Sequence, residues 1–180
     1  MSPGGHLVTT AAACAAVWAG TGSAALTAGL AVGGFLIDVD HAVDYVVFER
    51  QRDLRPRAFL LHYSRNEATR AVLLLHSWEL APVLAAAAWI TGSMLLWGYL
   101  LGMGLHLALD VVFNGRLATH SLVPFYSFIR RAAAGFRFAR LVHFRELEPI
   151  PADFWRAFFI GPTPRREPRS PQRTLANIAP

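Results

Sequence analysis

Residues Met94–Phe113 read MLLWGYLLGMGLHLALDVVF. This apolar run contains one histidine, His106, and one charged residue, Asp110. About 20 such residues are what an α-helix needs to cross the hydrocarbon layer of a bilayer. The tract Ala71–Ile90 has a similar length and character, and the turn-forming sequence TGS joins the two. The pattern predicts a transmembrane helical hairpin, with a kink at Pro82 in its first arm.

A second apolar tract, Val8–Ile37, precedes this pair. As one helix it would be about 45 Å long at ~1.5 Å per residue, longer than a bilayer core requires. The turn formers GTGS at its middle favour a hairpin of two short helices, whereas strong tilt would accommodate one unbroken helix. The hairpin alone returns the chain to its starting side, placing His6 close to Asp38.

The basic residues are all Arg, and they fall in two stretches, Arg50–Arg70 and Arg116–Arg173. Both stretches flank apolar tracts, so membrane orientation with a cytoplasmic Arg face explains them better than nucleic-acid binding. Cys14 is the single cysteine, which excludes an intrachain disulfide and a cysteine-based zinc cluster. Any metal must therefore bind to histidine and carboxylate.

The remaining apolar segments are too short to span a bilayer and favour interfacial helices. They lie within residues 48–70, 122–129 and 154–160. The predicted fold class is therefore all-α, an integral membrane bundle of two helical hairpins plus interfacial helices. We predict one membrane-embedded domain over residues 1–161, followed by a disordered Pro/Arg-rich tail over residues 162–180.

Ionisable side chains stand within or at the ends of the apolar tracts, where an uncompensated charge costs several kcal/mol. Such residues are functional candidates by default. They are Asp38, Asp40, Asp44, Glu79, Asp110, His41, His76 and His106.

His106 and Asp110 are four residues apart, so on a helix they share one face. This spacing suits a shared metal, or a His–Asp hydrogen bond that only locks two helices together. His76 lies sixteen residues before Gly92 and His106 fourteen after it, so in an antiparallel hairpin both lie roughly 21–24 Å from the turn. Glu79, three residues after His76, comes to nearly the same depth, and the four side chains are expected to converge.

Asp38, Asp40 and His41 form a D-x-D-H cluster at the end of the first tract. Two carboxylates and an imidazole this close favour a divalent cation, although Asp caps at a solvated helix terminus would give the same pattern. His62 and His120 lie in the charged segments, where an interfacial hydrogen-bonding role is the simpler interpretation.

Taken together, these motifs resemble the bacterial inner-membrane metal-dependent hydrolases, sometimes grouped with zinc-dependent phospholipase C-like proteins. The matching pieces are Gly5-His6-Leu7, Phe35–His41 (FLIDVDH), His76-Ser77, Leu105–Asp110 and Leu122–Phe125. The resemblance implies that His6, Asp40, His41, His76, His106 and Asp110 correspond to metal ligands, with Asp38 beside them. Family members often carry a His-Arg-Gly-x-Thr-His-Ser run, of which this chain keeps only His76-Ser77 and adds Glu79.

The sequence therefore predicts a membrane-bound hydrolase in which Zn²⁺, or else Mn²⁺ or Fe²⁺, activates water for attack on an ester or phosphoester. Glu79 is the expected general base, or a further ligand, and Asp38 the other catalytic carboxylate. Arg side chains of residues 50–70 are expected to hold an anionic head group. A site at the cytoplasmic face of a bacterial inner membrane favours a lipid or lipid-linked substrate. The alternatives are a divalent-metal or proton transporter and a structural protein with a buried polar lock.

Overall fold

The computed structural model describes residues 1–151 and 153–165, and this part of the chain is all-α, as predicted. Eight α-helices follow one another: α1 Pro3–Thr21, α2 Ala24–Gly34, α3 Val39–Val43, α4 Pro56–Ser64, α5 Leu80–Thr91, α6 Met94–Asn114, α7 Phe128–Ala133 and α8 Phe154–Ile160. A π-turn, Asp44–Phe48, continues α3, and 3₁₀ turns cover Leu36–Asp38, Val123–Tyr126 and Phe138–Arg140. In place of strands, these residues contain three isolated β-bridges.

The first apolar tract is a hairpin, which confirms the broken form over the single tilted helix. α1 ends at Gly22, whose φ of 62° lies in the left-handed region that glycine adopts without strain. Ser23 then begins α2 by accepting a hydrogen bond from the Leu26 amide. The turn sends α2 back towards the start of α1, so His6 and Asp38 lie at the same end of the molecule.

α2 and α6 make the most extensive helix–helix contact of the described fold, and glycines allow it. Gly29 and Gly33 on α2 face Gly98 and Gly102 on α6. A Cβ atom at Gly98 would lie 2.0 Å from the Leu26 carbonyl oxygen. This small-xxx-small pattern on both helices lets the two backbones touch. The close approach carries His106, one turn beyond Gly102, against the end of α2.

The tract Ala71–Ile90 is not one helix, because α5 begins only at Leu80. Residues 71–79 form an irregular segment instead. The predicted kink at Pro82 is therefore wrong: Pro82 lies in the first turn of α5, where a missing N–H breaks no intrahelical hydrogen bond. The second hairpin, α5–α6, is otherwise as expected, with Gly92 at φ 63° and Ser93 capping α6.

Two of the segments predicted as interfacial contain α4 and α8, of nine and seven residues. The third, residues 122–129, contains the 3₁₀ turn Val123–Tyr126 and only the first two residues of α7. The start of the predicted tail is ordered, since the amide of Glu148 donates to the Thr163 carbonyl and the amide of Arg165 to Glu146. The rest of that tail, residues 166–180, lies outside the described residues.

Among the described residues, one helix, Met94–Asn114, is long and apolar enough to cross a membrane. The pair Ala24–Gly34 and Leu36–Phe48, bent by 45°, would be a second if the two parts formed one span. α5 is apolar but has only 12 residues. The described residues are therefore all-α, and one or two of their helices have the length and composition of a membrane span.

Replacing Gly98 by alanine is expected to destabilise the protein by about 1–3 kcal/mol, since the new methyl group would force α2 and α6 apart. Gly104→Ala is the matched control on the same helix, because nothing lies within 4 Å of a Cβ atom there. Alanine at that position should stabilise by roughly 0.5–1 kcal/mol. Thermal unfolding in detergent, followed by circular dichroism, measures both. Equal stability of the two variants would show that close helix contact is not required.

Candidate metal centre

Seven side chains from four parts of the chain meet at the end of α6 remote from the Gly92 turn. They form three overlapping groups, each with ligand atoms within 4.8 Å of one another: His6, His106 and Asp110; Asp38, His76 and His106; and Asp40, His41 and His76. His76 and His106 each belong to two groups, so the three are adjoining positions of one centre. The structure thus brings together Asp38 and the six residues that the resemblance nominated as metal ligands, but not Glu79, the further candidate ligand.

Two hydrogen bonds determine how the central imidazoles are oriented. His106 Nδ1 lies 2.9 Å from the Gly34 carbonyl oxygen, and His76 Nδ1 lies 2.9 Å from Asp40 Oδ1. Because both partners are acceptors, each Nδ1 must carry the proton it donates. In the neutral rings, both Nε2 atoms are therefore unprotonated acceptors facing the interior of the centre.

These two nitrogens form a compact triangle with one carboxylate oxygen. His76 Nε2 and His106 Nε2 are 3.1 Å apart, and Asp38 Oδ1 lies 3.4 Å from each. Ligands about 2.0–2.1 Å from a tetrahedral Zn²⁺ are separated by roughly 3.3–3.4 Å, so the triangle matches one face of such a site. Three acceptor atoms at these distances repel one another unless a metal ion, or a proton on one of the imidazoles, lies between them.

The charge of the centre also favours a cation. Three of its seven side chains are buried or half-buried carboxylates, those of Asp38, Asp40 and Asp110. Burial lowers the pKa of His76, but hydrogen bonds and charge interactions with Asp38 and Asp40 outweigh it and raise the pKa to about 9. The carboxylates therefore stabilise positive charge at this imidazole, whether a proton or a metal ion supplies it.

The segment that carries His76 is neither helix nor strand, so side chains of other segments form hydrogen bonds with its backbone amides and carbonyls. Asp44 accepts from the amides of Val72 and Leu73, and Asp40 from those of Leu75 and His76. Leu73 has a φ of 45°, which is unfavourable for leucine by about 1–3 kcal/mol and persists only where neighbours enforce it. The two aspartates thus hold the segment against the π-turn and α3.

The carbonyl groups of the same segment bind Arg131, a fully buried residue of α7. Its guanidinium donates to the carbonyl oxygens of Val72, Leu73 and His76, at 3.1, 2.8 and 3.1 Å. It also donates to the Phe125 carbonyl and to Ser77 Oγ. Sequence reasoning missed this residue, because Arg131 looks like one more member of an Arg-rich surface segment.

His6 and Asp110 form a pair beside the triangle. His6 Nε2 lies 2.9 Å from Asp110 Oδ1, and the His6 ring stacks on His106 with centroids 3.8 Å apart. Asp110 Oδ2 accepts from the Tyr126 hydroxyl at 3.0 Å and lies 3.5 Å from His106 Nε2. His6 Nδ1 is buried and has no hydrogen-bond partner among the described residues. This pair can contribute a further ligand or orient the centre.

Glu79 belongs to none of the three groups, contrary to the expected convergence. Its carboxylate accepts from Ser127 Oγ and from the amides of Phe128 and Ile129 at the start of α7. Burial raises its pKa, but these hydrogen bonds outweigh that effect and hold the pKa at about 2. The carboxylate is bound to the start of α7 and lies outside the three ligand groups, so the geometry favours a helix-capping role.

Glu79→Gln is therefore expected to leave the metal content unchanged and to destabilise the protein by about 1 kcal/mol, because one amide oxygen replaces two carboxylate oxygens. Elemental analysis and thermal unfolding of the purified variant measure the two quantities. Loss of metal would instead show that Glu79 is a metal ligand.

The three histidines of the charged segments, His62, His120 and His143, lie outside these groups. His62 is buried against Tyr45, with ring centroids 5.1 Å apart, and its Nδ1 lies 3.8 Å from Glu67. His120 is exposed. His62 and His120 both lie outside the centre, but within the described residues neither ring forms a hydrogen bond, and His62 Nε2 is buried without a partner.

A cavity of about 490 Å³ adjoins the centre. Asp38, His6, His41 and Asp110 line one part of it, and most of the remaining lining is aliphatic or aromatic. No Arg side chain is among its lining residues within the described part of the chain. The expectation that residues 50–70 supply Arg to a head group finds no support in this lining. Arg55 instead pairs with Asp53 and Arg65 with Glu67.

The arrangement can hold a divalent cation with nitrogen and oxygen ligands and present it to an apolar cavity. The resemblance drawn from the motifs has no counterpart in broader comparisons: no family model, no curated protein and no solved structure matches this chain.

Proposed function

We propose that this protein is a membrane-bound, metal-dependent hydrolase that cleaves an ester or phosphoester of a lipid or lipid-linked substrate. One observation carries the proposal: the triangle of His76 Nε2, His106 Nε2 and Asp38 Oδ1, whose 3.1–3.4 Å edges suit a tetrahedral zinc site. Two histidines and one carboxylate with a remaining position open are a common ligand set of catalytic zinc. Mn²⁺ and Fe²⁺ accept the same ligands.

Each residue has a distinct role in this proposal. His76, His106 and Asp38 would hold a divalent ion, which would supply Lewis acidity and a water that is nucleophilic near neutral pH. Asp40 and the Gly34 carbonyl keep the two imidazoles in the tautomer that directs Nε2 inward. Asp38, whose side chain is 33% exposed, reaches the cavity and can accept a proton from the attacking water through its second oxygen.

The distribution of apolar side chains supports a membrane location. The polar side chains are buried at the centre, while large apolar residues cover the outside of the helices. Trp89 and Ile90, at the turn of the second hairpin, are 80% and 82% exposed. Water would disfavour such a surface, and a bilayer would stabilise it. With the Arg-rich segments at the opposite end, we place the centre near the cytoplasmic face of a bacterial inner membrane.

The transporter alternative requires a polar path through the helices. Residues 83–103 contain no acidic, basic or histidine side chain, so ionisable groups are confined to one end. This confinement favours chemistry at one face over transport across the membrane.

The decisive experiment uses the full chain purified in detergent. We expect elemental analysis to find about one zinc per chain, and zinc-dependent cleavage of p-nitrophenyl butyrate or of bis(p-nitrophenyl) phosphate, abolished by chelation and restored by zinc. The two chromogenic probes separate ester from phosphoester chemistry. Bound metal without cleavage of either would favour transport, tested by zinc flux into proteoliposomes. A stable protein that binds no metal would identify the cluster as a buried polar lock.

A further inference from the structure

The cavity beside the centre has two chemically different parts. Its polar part consists of the side chains that surround the triangle, with Asp38 the most accessible. Its apolar part is built by aromatic and aliphatic side chains from five separate segments, among them Phe35, Phe59, Leu122, Phe125, Phe144 and Phe158. A water-filled pocket for a small polar substrate would not need such walls, because apolar surface favours apolar ligands.

The cavity also reaches the apolar exterior of the protein. Leu36 and Val39 line it and are both 55% exposed. Asp38 lines the same cavity, so the accessible carboxylate and two apolar side chains that are more than half exposed belong to one lining. An amphiphile in a bilayer can therefore meet the centre without its chain crossing water.

From these observations we infer that the cavity binds a single apolar chain of the substrate while the scissile bond lies at the metal. The inference rests on the proposed function and specifies its substrate class: an amphiphile whose chain fits a cavity of about 490 Å³. No Arg side chain lines the cavity in the described residues, and most of the lining is apolar, so the chain, rather than an anionic head group, provides the binding energy there.

Alkyl hydroxamic acids test the inference, because the hydroxamate binds metal and the chain length can be varied alone. The full chain, loaded with Co²⁺ in detergent, reports binding through its visible absorption. We expect affinity to rise from acetohydroxamic acid to the octanoyl and dodecanoyl compounds, by up to roughly fourfold per buried CH₂, which corresponds to ~0.8 kcal/mol.

A cavity-filling variant separates the cavity from chain partition into the detergent micelle. Ala68 lines the cavity and Ala133 is exposed on α7. Ala68→Trp should retain metal and acetohydroxamic acid binding but lose the gain from longer chains by tenfold or more, whereas Ala133→Trp should match the wild type. Partition into micelles is the same for all three proteins.

The outcomes distinguish the inference from the proposed function. If acetohydroxamic acid binds and longer chains bind no better, or if Ala68→Trp keeps the full gain, the chain site is disproved and the metal centre stands. If the purified protein takes up neither Co²⁺ nor Zn²⁺, the proposed function fails and the chain inference fails with it.

Discussion

His106→Ala is expected to abolish stoichiometric zinc binding. His106 Nε2 is one of three acceptor atoms 3.1–3.4 Å apart. Its removal leaves two ligands, and because the site is buried, water cannot readily take the place of the lost imidazole. The loss should exceed the ten- to hundredfold that removing an outer hydrogen-bond partner costs. Elemental analysis after dialysis, together with competition against a chromogenic chelator, measures the change.

Two further variants calibrate this result. Asp40→Asn removes the charge from the group that orients His76 and should weaken zinc affinity by about 10- to 100-fold. His143→Ala, an exposed histidine outside the three groups, should bind zinc as the wild type does. Full metal content in His106→Ala would mean that the histidines and carboxylates form only a structural lock.

Arg131→Met is expected to destabilise the protein by about 3–5 kcal/mol and to weaken zinc binding with it. The guanidinium donates to three carbonyl oxygens of residues 72–76 and to two further acceptors, all in its buried environment. Methionine fills part of the volume but leaves these acceptors without donors, at a cost of about 1–3 kcal/mol each before relaxation. The strained φ of Leu73 would then relax and carry His76 away from His106.

Arg130→Met is the matched control, since Arg130 is the preceding residue of α7 and is exposed. It should change stability by no more than about 0.5 kcal/mol. Arg131→Lys, which keeps the charge but provides three donors in place of five, should lie between the two. Thermal unfolding by circular dichroism and the zinc affinity are measured for all three. Equal melting temperatures for Arg131→Met and Arg130→Met would show that the segment is held by the aspartates alone.

The sequence predicted correctly that His76 and His106 lie close together, but through an assumed helix that the chain does not form. The expected distance of His76 from Gly92 requires residues 71–79 to be helical, whereas α5 starts at Leu80. The two imidazoles meet because an irregular segment folds over the end of α6. A continuous apolar run shows no helical periodicity, so the sequence pattern could not distinguish the irregular segment of residues 71–79 from a helix.

Glu79 shows the same limitation from the other side. In the assumed helix Glu79 is one turn from His76, and this spacing predicted that its side chain faces the metal centre. In the structure it caps α7, nearly fifty residues later in the chain. Local spacing contains no information about a partner at that separation.

The sequence by itself determined the all-α class, both hairpin turns and the set of ionisable residues that gather at one end, because turn chemistry and the placement of charges in apolar tracts are local properties. The tertiary structure alone decided which nitrogen of each histidine faces inward, and that Arg131, Asp40 and Asp44 hold the segment carrying His76. Those features depend on hydrogen bonds between residues 28 to 72 positions apart, and such bonds form only once the helices have packed.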